Sequence, residues 1–230
     1  MARRKKQQEA EETLVDLVEV KGQASDFFEK NQTNLLLGLT ALLLLVGAYI
    51  FYTQFVKAPK EKEAMEALAQ AQTQFERDSF ALALTNPGGG FSGLLDIIDN
   101  YGGTKAANTA RYYAGISYLQ LGQNDAAIEY LDDFSAGNTI LAYTKYGAMG
   151  DAYSEKNEFD NAIASYKKAA AAGSNEVLAS YYLKKLGLLY EKQGNAGEAK
   201  AAFEKIREQF PSSTEGADIE KYITRVAAKG

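Results

Sequence analysis

Three glycines, Gly115, Gly150 and Gly187, sit inside runs of strong helix formers and share one set of neighbours. They lie 35 and 37 residues apart. Three positions after each comes a tyrosine: Tyr118, Tyr153 or Tyr190. Seven after comes Gly122, Asn157 or Gly194, and twelve after comes Ala127, Ala162 or Ala199. Sixteen after comes a large side chain: Leu131, Tyr166 or Phe203. A glycine in mid-helix costs about 1 kcal/mol against alanine, so three in register require a packing reason. The spacing predicts one helical hairpin used three times. A first helix ends on Gly or Asn in the left-handed conformation. The Gly faces the Ala of the second helix, which brings the two backbones together. The Tyr and the large residue fill the space between neighbouring pairs.

Hydrophobic periodicity places the three pairs at Thr104–Leu121 with Asp125–Phe134, Thr139–Glu155 with Phe159–Ala171, and Asn175–Lys192 with Ala196–Gln209. The pattern resembles the tetratricopeptide repeat (TPR). Lys60 to about Leu84 reads as one long helix of Glu, Lys, Ala and Gln, stopped by Asn86-Pro87-Gly88-Gly89-Gly90. A short helix over Phe91–Asn100 follows, and Lys60 to Asn100 then packs as a degenerate first pair. Pro211 stops the last pair. A capping helix begins at Ser212-Ser213-Thr214-Glu215, where the first Ser and the Glu each satisfy a free backbone N–H.

The second constraint is Leu35–Val56, which has no charged side chain and eight leucines. At ~1.5 Å per residue it is long enough to cross a hydrocarbon core of roughly 30 Å. Leu35, Leu45, Tyr49, Tyr52 and Val56 mark the anchor, with aromatics gathered at its C-terminal end. Arg3, Arg4, Lys5 and Lys6 argue for a cytoplasmic N-terminus; the charges flanking the span lean the other way. Gln8 to Lys21 has the spacing of a short amphipathic helix. The expected organisation is an N-terminal segment over residues 1–34 and a transmembrane helix over 35–56. A long helix with a degenerate repeat covers 57–103, three hairpins 104–210, and a capping helix 211–230. The fold class is all-α: a transmembrane helix followed by a TPR α-solenoid.

Stacked hairpins make a concave face lined by first helices. By repeat phase its candidates are Thr109, Tyr112, Ile116, Leu119, Gly147, Asp151, Ser154, Tyr181, Lys184, Leu188 and Glu191. They read either as a partner groove or as positions packed against the long N-terminal helix.

The absence of Cys and His closes the common catalytic and metal templates. Gly88-Gly89-Gly90 lacks the Gly-Lys-Ser/Thr of a phosphate loop. No catalytic, cofactor or metal motif stands out, and the expectation is a protein that is not an enzyme. Residues 57–230 carry 19 Lys/Arg against 23 Asp/Glu, which disfavours nucleic acid as a partner.

The span Leu35–Val56, FERDSFALAL at Phe75–Leu84, GLLDIIDNYGGTKAANTARYYAG at Gly93–Gly115 and GLLYEKQGNAGEAKAAFEKI at Gly187–Ile206 resemble the YfgM-like family of bacterial inner-membrane proteins. The resemblance implies a Sec translocon ancillary subunit with its N-terminus cytoplasmic and its repeats in the periplasm. The implied partners are Sec translocon subunits, a membrane-anchored periplasmic chaperone of the parvulin type, unfolded secretory chains and membrane lipid. It implies no cofactor. A repeat scaffold for another envelope complex is the alternative, with a carboxylate-dependent envelope hydrolase behind it.

Overall fold

The computed structural model describes residues 29–86, 88–137 and 140–228, and the helix expected over Gln8–Lys21 lies outside them. The chain divides into two units, Met1–Pro59 and Lys60–Gly230.

The first unit, from Glu29, is helical. It belongs to the run Glu29–Glu76, the one helix among the described residues long and apolar enough to cross a membrane. Its large side chains are exposed, Leu44 and Leu45 each to 70%, and Phe51 stacks only on Phe55 of the same helix, at 4.9 Å. Thr40 and Thr53 donate their hydroxyls back to the carbonyls of Leu36 and Ile50, so neither needs water. Over Tyr52–Lys57 the helix widens into a π-helical turn, and the Ala58 N–H reaches the Thr53 carbonyl. Pro59 explains the widening. A proline ring clashes with the carbonyl four residues back, and a wider turn relieves it.

The second unit is built from helices alone among the described residues. α1 (Ala58–Glu76), α2 (Phe80–Thr85) and α3 (Leu94–Asn100) open it. Three pairs follow: α4 (Lys105–Gln120) with α5 (Asn124–Asp133), α6 (Ile140–Glu155) with α7 (Phe159–Ala170), and α8 (Glu176–Lys192) with α9 (Ala196–Gln209). α10 (Thr214–Ala217) and α11 (Ile219–Ala227) close the end. The first helices α4, α6 and α8 touch in succession and form the inner layer, each with its own second helix outside. The hairpin reading therefore holds to within a few residues at each boundary.

Each first helix ends in the same way. Gly122, Asn157 and Gly194 take φ of 72°, 61° and 76°. Their N–H groups donate to Leu119, Ser154 and Glu191, and the next residues donate to Tyr118, Tyr153 and Tyr190. These paired bonds are the Schellman closure.

The same closure breaks the long helix expected from Lys60 to Leu84. Asp78 adopts φ 56°, its N–H donates to Phe75, and Ser79 donates to Gln74. Helix-forming residues on both sides conceal the stop, because Asp reaches the left-handed region with a modest penalty. Counted back from Asp78, the glycine position is Ala71 and the alanine position Ala83, and both are fully buried. α1 and α2 thus keep the repeat phase with alanine in place of glycine. Ala64, Leu68 and Ala71 pack with Ala83, Leu94, Ile97, Ala106 and Ala110.

Two local expectations are corrected. The mid-helix glycines make room chiefly for the large residue, although at Gly115 the Ala127 carbonyl oxygen also lies 3.2 Å from where a Cβ would stand. A Cβ on Gly115 would lie 2.6 Å from Leu131 Cγ, one on Gly150 2.5 Å from Tyr166, and one on Gly187 2.4 Å from Phe203. Leu131 and Phe203 are fully buried, Leu131 against Ala148 and Met149 of the next pair and Phe203 against Tyr222 of α11, each contributing about 1.5–3 kcal/mol. The cap of the last helix also shifts by one residue. Ser213, not Ser212, accepts from the Gly216 N–H. Glu215 turns inward to accept the Ser180 hydroxyl, and the helix is interrupted at Asp218.

Candidate functional site

The inner layer brings the predicted groove residues into three different settings. Tyr112, Ile116 and Leu119 are half-buried and pack against Ala148 and Met149 of the next repeat. Tyr112 also tilts against Phe134 at 5.3 Å. Thr109 donates its hydroxyl to Lys105 of its own helix. Gly147 is filled, since a Cβ there would lie 2.1 Å from the Tyr182 ring.

Asp151 is the centre of a polar cluster. Lys185 reaches across from α8 and places Nζ 2.7 and 2.8 Å from the two carboxylate oxygens. The Tyr166 hydroxyl donates to the same carboxylate from α7. The ion pair therefore ties the second hairpin to the third, and the hydrogen bond joins the two helices of the second. Asp151, Lys185 and Tyr166 line a concave cavity of about 500 Å³ together with Leu119 and Ser154. Burial, and then the Asp151 charge, raise the pKa of Tyr166 and of Tyr182 well above the ordinary tyrosine value. With its oxygens engaged and the phenols held neutral, the cluster offers recognition by charge and hydrogen bonding.

The far end of the layer is different. Tyr181 and Leu188 of α8 are 41% and 38% exposed. Glu191 pairs with Arg225 of α11. Lys184 points toward α11, with Nζ 5.2 Å from the centre of the Tyr222 ring. The lysine at Asp151 is thus Lys185, one position outside the groove phase. Its long side chain covers the roughly 100° of helix rotation that repeat counting treats as a different face. Tyr166, Tyr182, Lys185, Tyr222 and Arg225 are the site residues that repeat phase misses. Arg225 and Tyr222 carry no sequence signal, because the last helices lie outside the repeat.

Among the described residues no group of three or more acidic side chains is placed to hold a metal ion.

Hairpins in this register with an inner layer of first helices define a tetratricopeptide-repeat solenoid, a class of protein-interaction module. Two tetratricopeptide-repeat family models match the chain, one over residues 148–214 and one over residues 109–136. Among solved structures, the chain is similar to the crystal structure of MamA protein, with a TM-score of 0.52 and 19% identity. That match covers 74% of this chain and 91% of that one. A second crystal structure of MamA matches 59% of this chain and 88% of its own, with 22% identity and a TM-score of 0.42. At 19% identity the likeness to the first is one of fold. No curated protein matches the sequence significantly.

Proposed function

We propose that the chain is a single-pass membrane protein of the bacterial inner membrane whose repeat domain, on the periplasmic side, binds other proteins at the Sec translocon. A membrane-anchored chaperone and emerging secretory chains are the proposed partners. One observation carries the reading: an unburied apolar helix stands in the same chain as a TPR solenoid. A solenoid's business is protein contact, and confinement to a membrane raises the effective concentration of partners sharing it. The basic block Arg3–Lys6 supports a cytoplasmic N-terminus, and the resemblance to the YfgM-like family supports the translocon. The proposed groove comprises Thr109, Tyr112, Ile116, Leu119, Asp151, Ser154, Tyr181, Lys184, Leu188 and Glu191, of which Tyr181 and Leu188 are the most open to a partner.

Co-purification from membranes after mild detergent extraction tests this. Translocon subunits and a membrane-anchored chaperone are expected with the protein. Recovery of a different envelope complex, or of the protein in the soluble fraction, overturns it. Alkaline phosphatase fused after Gly230 is expected to be active; an inactive fusion rejects the orientation.

A further inference from the structure

Among the described residues from Lys60 onward, seven large apolar side chains are exposed, and three of them, Val177, Tyr181 and Leu188, belong to α8. Their numbers differ by four and seven, so they form one stripe along the helix. Lys184 falls on the same stripe, between Tyr181 and Leu188.

The charges around that stripe are not balanced. Three of the four nearby cations have carboxylate partners: Lys185 has Asp151, Lys221 has Asp218 and Arg225 has Glu191. Lys184 has none at ion-pair distance among the described residues; Asp218, on which it also acts, is already held by Lys221 at 2.6 Å. Lys184, Lys221 and Arg225 all lie within 5.3 Å of the Tyr222 ring centre. The ring seats Lys184 without neutralising it. An unpaired cation between exposed apolar side chains complements a guest with the reverse pattern.

Resting on the reading of the domain as a protein-binding module, we propose that the α8 stripe docks an amphipathic segment of another protein that carries a carboxylate between two apolar side chains. The apolar residues seat on Tyr181 and Leu188, and the carboxylate takes the free charge of Lys184. The module then favours acidic over basic amphipathic segments, which gives it a selectivity that apolar contact alone lacks.

The test uses the full chain in nanodiscs of zwitterionic lipid and two labelled synthetic peptides. One is a short amphipathic helix with Glu between two Leu; the other has Lys in place of Glu. Anisotropy is expected to show the Glu peptide binding at least about tenfold tighter. Lys184→Glu is expected to reverse that order, and Leu188→Ser to weaken both peptides. Circular dichroism confirms that each variant keeps its helix content. Equal binding of the two peptides, no binding of either, or a charge preference that survives Lys184→Glu overturns the proposal. Self-association of the chain through this face also overturns it, by making a second copy the occupant. In-cell crosslinking from Tyr181 keeps the two readings apart. Crosslinks to other proteins together with charge-indifferent peptides remove this inference and leave the module reading; their absence removes both.

Discussion

The Glu61 carboxylate of α1 caps the helix that begins at Lys105: it accepts the N–H of Lys105 at 2.8 Å and that of Ala106 at 3.0 Å. Thr104 takes the Ala107 N–H at 3.0 Å. Thr104 donates its own N–H to Tyr101, so all four free N–H groups at the start of α4 are satisfied, two of them by a residue over 40 positions upstream. The capping negative charge also complements the helix dipole. This contact fastens α1 to the first full repeat.

Glu61→Ala is expected to cost about 1–2 kcal/mol, the range of a lost N-cap with its charge. Glu61→Gln keeps an acceptor and is expected to cost less. Chemical denaturation of the full chain in detergent measures both. Equal stability of all three proteins would show that the cap contributes nothing.

Gly187 and Phe203 are expected to behave as a coupled pair. Gly187→Ala forces a Cβ to within 2.4 Å of the Phe203 ring. The overpacking is expected to cost about 1–3 kcal/mol, against about 1 kcal/mol gained in helix propensity. Phe203→Ala removes the ring and relieves the clash. A double-mutant cycle is expected to show Gly187→Ala costing less in the Phe203→Ala background. Strict additivity would mean that the ring does not require the glycine.

Lys145 is buried, and its Nζ donates to the carbonyls of Asp132 at 3.0 Å and Phe134 at 2.8 Å. It closes the C-terminal end of α5, where a cation also suits the dipole. Burial lowers its pKa. Lys145→Met leaves two carbonyls unpaired and is expected to destabilise by about 1–3 kcal/mol. A stability equal to wild type would contradict this.

Alkaline pH should weaken the domain through its buried phenols. Tyr166 and Tyr182 have raised pKa values in the folded chain, chiefly from burial. The folded form keeps their protons at a pH where the unfolded chain loses them. Their stabilising effect is therefore complete below about pH 10, the ordinary tyrosine value, and falls as pH rises above it. Lys145 acts with the opposite sign, since its lowered pKa lets stability rise toward the ordinary lysine value. Denaturation midpoints from pH 8 to 11 are expected to fall at the alkaline end, and less steeply in Tyr182→Phe. An unchanged slope in that variant would remove Tyr182 from the account.

The hairpins were legible because four offsets recur in three copies, and each offset has one physical cause. The unread features depend on single residues without a periodic signal. Asp78 stops a helix in the middle of good helix formers by taking φ 56°. Ser213 outcompetes Ser212 because Glu215 finds a partner in Ser180 instead of returning to its own helix end. Repeat phase placed Lys184 and Asp151 on one face. It carries no information on side-chain reach, so it passed over the Lys185–Asp151 pair. The glycine–alanine contact expected from size alone is secondary to contact with the large residue sixteen positions on, Leu131, Tyr166 or Phe203, which takes the space.

The central claim is that this solenoid holds other proteins on its inner layer beside the membrane. Photo-crosslinking in living cells from position 181, exposed on α8, and in parallel from Lys205, exposed on α9, tests it most directly. The account predicts discrete adducts with translocon or chaperone proteins from 181 and few from 205. Adducts of equal yield from both positions, or none from 181, would contradict it.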